Sequence, residues 1–353
     1  GLVLRANALR MLSAIGLAEA VAARGAPLRG SRIERASGRS LAAADLSDFT
    51  ERFGYPSVAL DRRALIEVLA GALPEGALRL GVRVAEIEET EEGVIATLED
   101  GERLSARALV GADGVDSDIR RQLVGSVSAR YAGYTSWRGI ARGVAGVEPG
   151  ILVERWGAGR RFGFAPVGED EVMVYATCHA PQGERDGEDP RAELLERFRR
   201  FASPVPELIE ALPSTAGLYR TDIVELDPLP SWTRGRVTLL GDAAHAMTPN
   251  TAQGASQSIE DAVVLSASLA SSQGDVPAGL QAYEAARRPR ATEIADRSRH
   301  LGELAQWRHP IARTVRDTFL AWAPDSLLQR GFDSLYGVAV PEGLGRAPAE
   351  SLS

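Results

Sequence analysis

The segment from Leu239 to Gly254 constrains this chain more than any other part of its sequence. Apolar residues enter the turn Gly241-Asp242, a loop containing Pro249 follows, and Gly254 opens the next predicted helix. A carboxylate directly after a buried strand can accept hydrogen bonds from a sugar-alcohol chain. The glycine lets the backbone approach a planar ring, and the amides at a helix N-terminus offer positive partial charge. The segment therefore predicts a ligand-binding edge in an α/β fold.

A second turn of this kind lies between Gly111 and Arg120. An apolar strand enters Asp113-Gly114, and Ser117 precedes the helix that follows. The arrangement is typical of a turn that faces a phosphate or a ribose. The same residues also suit a simple turn with Ser117 as the helix cap, so this motif alone leaves both interpretations open.

The composition excludes several classes of protein. The 353 residues are 44% hydrophobic and 25% charged, as in a globular protein, and the net charge of -8 argues against a nucleic-acid partner. The single cysteine, Cys178, excludes a disulfide framework and favours a cytoplasmic location. No apolar run is long enough to span a bilayer, and no metal-ligand spacing is present, so we expect neither a transmembrane segment nor a metal site.

Apolar periodicity divides the chain into an α/β part and a β-rich part. Helical periods cover residues 7–21, 62–73, 254–270 and 275–307, the last one interrupted at Pro289. Short extended segments are predicted at 57–60, 77–80, 82–89 and 93–99, and an antiparallel meander from 131 to 177. We expect a discontinuous α/β domain over 1–125 and 230–270, a β-sheet domain over 126–229, a C-terminal helical region over 271–338 and a frayed tail over 339–353.

Six segments in the same order resemble the class A flavoprotein monooxygenases, the FAD-dependent hydroxylases of the p-hydroxybenzoate, salicylate, 3-hydroxybenzoate and urate hydroxylase type. They are GLVLRANALRMLSAIGL at 1–17, VALDRRAL at 58–65, DGVDSDIR at 113–120, YTSWRG at 134–139, the segment ending at Gly254, and YEAARRPR at 283–290. The resemblance implies an α/β fold with a Rossmann-like parallel sheet for FAD and NAD(P), an inserted antiparallel β-sheet substrate domain and C-terminal helices. The family opens on a strand and a GxGxxG turn, so we expect this first βαβ unit to be missing from a chain that opens at Gly1.

The resemblance also implies roles for individual residues. Asp242 matches the residue that binds the ribityl chain of FAD, and Arg62 the arginine at its ribityl–pyrophosphate part. Pro249 would lie beside the flavin where the C4a-hydroperoxide forms, and is a predicted catalytic residue. The complete set of predicted cofactor-binding residues is Arg62, Asp113, Gly114, Gly241, Asp242, Pro249, Ala252, Gln253 and Gly254. Ala252 departs from the glycine that many relatives carry.

In this family the meander sheet covers the flavin, so its strands supply the candidate substrate pocket. The predicted pocket residues are Trp137, Arg161, Phe164, Met173, Tyr175 and Thr177. Tyr175 is also a predicted catalytic residue, a phenol that positions the substrate or helps to deprotonate it. The aromatic residues could equally serve sheet packing. Arg161 could pair with a substrate carboxylate, but the sequence favours a solvated surface cation at this position.

The resemblance implies a monomeric or homodimeric enzyme that binds FAD noncovalently and accepts hydride from NADH or NADPH. It would use molecular oxygen to hydroxylate or epoxidise an aromatic or other electron-rich small molecule. Two alternatives remain. The chain could be an inactive or incomplete fragment that does not retain FAD, or a flavoprotein reductase without oxygen insertion. Bound flavin distinguishes the first alternative, and oxygenated product distinguishes the second.

Overall fold

The computed structural model describes residues 1–214, 217–322 and 325–341, and only the backbone of 325–330. The strands are β1 (Leu2–Leu4), β2 (Gly25–Leu28), β3 (Gly30–Arg35), β4 (Ser40–Asp45), β5 (Ser57–Leu60), β6 (Val84–Glu89), β7 (Val94–Leu98), β8 (Arg103–Ala106), β9 (Leu109–Gly111), β10 (Arg130–Arg142), β11 (Ile151–Trp156), β12 (Arg160–Pro166), β13 (Glu171–His179), β14 (Tyr219–Glu225), β15 (Thr233–Arg234) and β16 (Val237–Leu239). The helices are α1 (Ala6–Ser13), α2 (Ala18–Ala22), α3 (Phe49–Phe53), α4 (Arg62–Gly71), α5 (Asp118–Val124), α6 (Pro190–Phe198), α7 (Val205–Glu210), α8 (Asp242–His245), α9 (Gly254–Ser271), α10 (Val276–Ala305), α11 (Pro310–Trp322) and α12 (Asp325–Tyr336), with a 3₁₀ turn at Pro249–Thr251.

A seven-stranded sheet with the order β14-β10-β13-β12-β11-β3-β4 forms the largest layer. Strands β10 to β13 give the predicted antiparallel meander, and β11 spans the predicted residues. Helices α6 and α7 cover one face of this sheet through an apolar cluster that includes Leu194, Phe198 and Leu208. The predicted α/β class with an antiparallel sheet domain is therefore confirmed.

Strands β3 and β4 correct the predicted domain boundaries. We assigned their residues to the first domain, but β3 pairs in parallel with β11 and extends the meander sheet. Parallel strands need a long connection, and here it runs from the end of β3 at Arg35 to the start of β11 at Ile151. Local periodicity carries no signal for such a pairing. Residues 30–45 therefore belong structurally with the meander sheet.

The α/β part is organised around the parallel pair β9 and β16, in which Leu239 lies opposite Gly111. Their carboxyl ends meet at one edge of the sheet, so the two motif turns that follow them lie side by side. Leu239 is fully buried, and its carbonyl accepts a hydrogen bond from the Tyr283 hydroxyl at 3.0 Å. This hydrogen bond anchors the strand pair.

Two expectations for local structure are wrong. Residues 77–80 do not form a strand, since β6 begins only at Val84. Pro289 does not interrupt the last predicted helix, because α10 continues through it. Arg287 and Arg290 flank the proline and form ion pairs with the buried carboxylate of Glu260 on α9. These contacts hold the helix on both sides of a residue that would otherwise break it. Among the described residues, no helix combines the length and apolar character needed to cross a membrane.

Candidate active site

The turns after β9 and β16 are joined by a buried arginine. The Arg120 guanidinium is 2% exposed and donates to the Ala243 carbonyl at 3.1 Å and to the Val115 carbonyl at 2.5 Å. Asp113 lies in the first turn, where its carboxylate accepts hydrogen bonds from the Ser117 hydroxyl and the Ile119 amide. The arginine fixes the distance between the turns, while Asp113 remains exposed at their surface.

A buried carboxylate on α9 holds the Gly241-Asp242 turn. Asp261 accepts hydrogen bonds from the Gly241 amide at 3.0 Å, from His245 Nε2 at 2.6 Å and from Arg287 Nε at 2.7 Å. Burial alone would raise the pKa of Asp261, but the charges and hydrogen bonds of His245 and Arg287 outweigh burial and leave this pKa below its ordinary value. Asp261 is therefore an anion that ties the turn to α9 and α10. His245 belongs to this support and not to an exposed catalytic surface.

Two of the predicted cofactor groups are exposed: Asp242 follows β16, while Arg62 opens α4 after β5, which belongs to the separate β1-β5-β2 sheet. In the part of the chain that the structure describes, the Asp242 carboxylate and the Arg62 guanidinium are exposed and make no hydrogen bond or ion pair. Helix α9 begins at Gly254 without a side-chain cap, so its first amides are free, and the space beside Gly254 Cα is open. The carboxylate suits hydroxyl groups, the guanidinium suits phosphate oxygens, and the free helix amides suit the anionic atoms of a ring.

The loop before α9 divides its residues between the surface and the interior. Pro249 is exposed in the 3₁₀ turn. The Gln253 side chain is fully buried and bonds to Asn7 Nδ2 and Gln257 Nε2, both at 3.0 Å. Only the backbone of Gln253 can therefore face a ligand. Ala252 adopts a left-handed conformation with φ 52°, which suits glycine better than alanine.

We expect Ala252→Gly to raise the free energy of unfolding by about 0.5–1 kcal/mol, because it relieves left-handed strain at a cost in backbone entropy. Ala262→Gly is the matched control, since Ala262 is exposed inside regular α9 and its replacement should lower stability by about 0.5–1 kcal/mol. Urea unfolding of both variants measures the two changes. Equal destabilisation by both would show that Ala252 carries no strain.

One face of the meander sheet lies against the Pro249 loop. We call it the front face. It is defined by Arg138, Tyr175 and Glu154, which lie in one row across the paired strands and therefore point to the same side of the sheet. Arg161 lies on this face, and its Nη2 donates to the Asn250 Oδ1 atom at 2.7 Å. Because Asn250 directly follows Pro249, this contact connects the sheet to the predicted flavin loop.

The other predicted pocket residues divide between the two faces. Thr177 is on the front face, where its hydroxyl accepts from Arg161 Nε at 3.3 Å and Gln306 Nε2 at 3.0 Å. Met173 shares this face with Tyr175 by alternation along β13 and packs in a cluster with Val3 and Ala165. The structure thus brings together Arg161, Met173, Tyr175 and Thr177 on one side of the sheet.

Trp137 and Phe164 lie on the opposite face, which corrects their assignment to the pocket. Phe164 packs in the apolar cluster beneath α6 and α7. The Trp137 ring lies near the guanidinium groups of Arg197 and Arg220, 5.4 and 4.9 Å from their central carbons, and its indole donates to Asp186 at 2.9 Å. Alternation separates the two faces of a strand but does not tell which one faces the ligand.

Tyr175 also differs from its predicted chemistry. Its hydroxyl donates to Glu154 Oε2 at 2.8 Å. Burial raises the pKa of Tyr175 well above its ordinary value, and the negative charge of Glu154 is the second largest cause of this shift. The phenol therefore keeps its proton and is unsuited to deprotonate a substrate, while a positioning role remains a prediction.

Glu154 and Asn250 belong to the site but were not predicted from the sequence. Glu154 is the one acid in the mostly apolar strand β11 and is only partly exposed, and a charge largely withdrawn from water in such a strand signals a partner that must neutralise it. Asn250 lies within the first motif but was passed over in favour of Pro249. Its Nδ2 donates to Thr248 Oγ1 and to the Ser298 carbonyl, both at 2.8 Å, so it also anchors the loop to α10.

Comparisons with known proteins agree with this architecture. A family model described as FAD binding domain matches residues 1–298. Aurachin C monooxygenase/isomerase of Stigmatella aurantiaca is 39% identical over 320 residues, which cover 91% of this chain and 83% of that protein. The 2-heptyl-3-hydroxy-4(1H)-quinolone synthase of Pseudomonas aeruginosa strain UCBPP-PA14 is 32% identical over 340 residues, which cover 95% of this chain and 87% of that protein.

A solved structure agrees in fold. The crystal structure of Klebsiella pneumoniae HpxO complexed with FAD and uric acid matches with a TM-score of 0.88 and 28% identity, and the match covers 95% of this chain and 87% of that one. The protein described here belongs to the class A flavoprotein monooxygenases, a family of FAD-dependent enzymes.

Proposed function

We propose that this protein uses NADH or NADPH and molecular oxygen to hydroxylate or epoxidise a small electron-rich ring at the edge formed by β9, β16 and the start of α9. The observation that carries this proposal is the open edge after β16. Among the described residues the exposed Asp242 carboxylate has no partner, α9 begins at Gly254 without a side-chain cap, and the loop between them contacts Arg161 of the front face. The relatives named for aurachin C and for a quinolone support an aromatic substrate.

The residues present fit FAD. Asp242 would accept hydrogen bonds from the ribityl hydroxyls, and Arg62 would pair with the pyrophosphate. The free amides at the start of α9 would stabilise negative charge at the pyrimidine edge of the ring, as the open space beside Gly254 permits. When bound, reduced FAD activates molecular oxygen and supplies one oxygen atom to the substrate.

The front face of the sheet would cover the reacting ring and exclude water. Arg161 is 2% exposed, and its charge is balanced by Glu154 at 3.1 Å, so it orients neighbouring groups without acting as a free anion receptor. Through Asn250 the same arginine would hold the Pro249 loop at a fixed distance from the sheet. Substrate and cofactor would thus be positioned by one connected set of side chains.

Asp242→Asn tests the cofactor assignment. We expect the dissociation constant for FAD to rise about 10- to 100-fold, because hydrogen bonds to a charged acceptor are stronger than those to an amide. Titration of the visible flavin spectrum measures it. Asp170→Asn is the control, since Asp170 is an exposed acid in the β12–β13 turn, away from the edge. Equal FAD affinity in both variants would contradict the proposed role of Asp242.

A further inference from the structure

Helix α11 carries an apolar stripe that the described part of the chain leaves uncovered. We call it the α11 stripe and define it by Ile311, Val315, Phe319 and Trp322, which are between 61% and 84% exposed. Their spacing of four, four and three residues places them on one side of the helix. A contiguous row of large apolar side chains in water marks a surface that binds another body.

The other side of α11 fixes this orientation. Arg316 and Asp317 are buried there, and Arg316 Nη1 donates to the Ala305 carbonyl at 3.0 Å. The Asp317 carboxylate forms ion pairs with Arg316 Nη2 at 2.8 Å and with Arg35 Nε at 3.1 Å. These contacts tie α11 to the end of α10 and to β3, so the stripe is held away from the core.

The charge around the stripe is positive, although the whole chain has a net charge of -8. Residues 304–322 contain three arginines and one acid, and that acid is the buried and paired Asp317. Arg308 is exposed just before the helix, and Arg313 is partly exposed within it. Among the described residues neither arginine has an ion pair. The surface is therefore complementary to one that is negatively charged outside and apolar beneath.

The two ends of this surface are aromatic. Trp307 lies before α11 and is partly exposed, and Trp322 ends the helix. Tryptophan is enriched where a bilayer meets water, because its ring is apolar while its N–H needs a hydrogen-bond acceptor. A second copy of the chain fits less well. A stable protein interface buries about 800 Å² on each partner, more than one stripe on a 13-residue helix offers.

We propose that α11 docks on the surface of an anionic lipid bilayer, with the α11 stripe among the outer acyl chains and Arg308 and Arg313 at the lipid phosphates. A helix of this kind lies in the plane of the interface and does not cross it. The candidate pocket is close by, since Gln306 at the end of α10 donates to Thr177 on the front face. Docking adds a location to the proposed reaction and does not depend on it.

Co-sedimentation of the FAD-supplemented full chain with vesicles tests the proposal. One set of vesicles is phosphatidylcholine alone, and the other contains an equal part of phosphatidylglycerol. We expect the binding constant to be at least about 10-fold higher for the anionic vesicles, because the unpaired arginines add to the attraction. Replacing both Arg308→Gln and Arg313→Gln should remove this preference. High salt should reduce it in the wild-type protein.

Phe319→Ser should lower binding to the anionic vesicles about 10-fold, since a ring is withdrawn from the acyl chains. Leu80→Ser is the matched control, because Leu80 is a highly exposed apolar residue in the loop before β6, and it should bind as the wild-type protein does. Circular dichroism establishes that each variant is folded.

Three results would overturn the proposal: no binding to either kind of vesicle, equal binding to both, or equal binding by Phe319→Ser and the wild-type protein. A lipid-free dimer that Phe319→Ser dissociates, seen by analytical ultracentrifugation together with absent vesicle binding, would instead assign the stripe to a second copy of the chain. Failure of the proposed function is distinct, because it would appear as absent flavin or absent oxygenation whether or not the protein binds vesicles.

Discussion

Replacing Asp261 with asparagine is expected to lower the free energy of unfolding by about 3–5 kcal/mol, the usual effect of breaking a buried ion pair. Asp261 is fully buried and receives the Gly241 amide, His245 and Arg287. An amide at this position would carry no charge, so Arg287 would keep only Glu260, which it shares with Arg290, and the pair with His245 would be lost. Urea unfolding followed by circular dichroism measures the loss.

Asp296→Asn is the control for this variant. Asp296 lies on α10 with a side chain 44% exposed, and its ion pair with Arg299 is long at 3.5 Å. Exposed pairs of this kind contribute little, so its loss should change stability by less than about 1 kcal/mol. A similar small change for Asp261→Asn would show that the buried charges do not hold the turn.

The pH dependence of this effect has a definite sign. The folded-state pKa of Asp261 is lower than its value in the unfolded chain, whose reference is 3.8. Its contribution is therefore fully present above the unfolded pKa and is lost as the pH falls through the lower folded pKa. We expect the stability difference between the wild-type protein and Asp261→Asn to persist at neutral pH and to shrink only in strong acid.

Replacing Gly163 with alanine is expected to reduce kcat/KM by about 100-fold, because a displacement of about 1 Å in a substrate-positioning group can cost that much. The added Cβ atom would lie 2.0 Å from Cζ and 2.3 Å from Cε1 of Tyr175, so the ring must move and its bond to Glu154 must break. The dissociation constant for FAD should not change. Steady-state kinetics and a flavin titration give the two values.

Gly168→Ala is the matched control for Gly163→Ala. Gly168 lies in the turn after β12, and a Cβ atom there would meet Glu171 at an ordinary 3.7 Å. Its activity should equal that of the wild-type protein. If Gly163→Ala kept activity within a factor of two, the position of Tyr175 would not matter for turnover.

The elements that sequence analysis predicted well have local signals. Helix α9 begins at Gly254 and β11 spans Ile151–Trp156, as expected, because a glycine after a loop and an apolar run between turns mark their ends. The Gly241-Asp242 turn follows β16 for the same reason. The predicted cofactor edge could therefore be drawn from the sequence, and its binding roles remain proposals.

The features that escaped prediction depend on distant residues. The parallel pairing of β3 with β11 has no local pattern. The resemblance assigned Phe164 and Trp137 to the pocket because they lie on strands of the meander sheet, but helices α6 and α7 cover their face of the sheet. The contact between Tyr175 and Glu154 requires a glycine on the strand between them, and only the register brings these three residues into one row.

The proposed reaction transfers one oxygen atom from molecular oxygen to an organic ring. The most direct measurement supplies the FAD-loaded protein with NADH or NADPH and a panel of electron-rich rings, including 4(1H)-quinolone, under 18O2, and analyses the products by mass spectrometry. We expect a product that contains one oxygen-18 atom for each NADH or NADPH consumed. Consumption of NADH or NADPH that yields only hydrogen peroxide, or a product whose new oxygen comes from water, would contradict it.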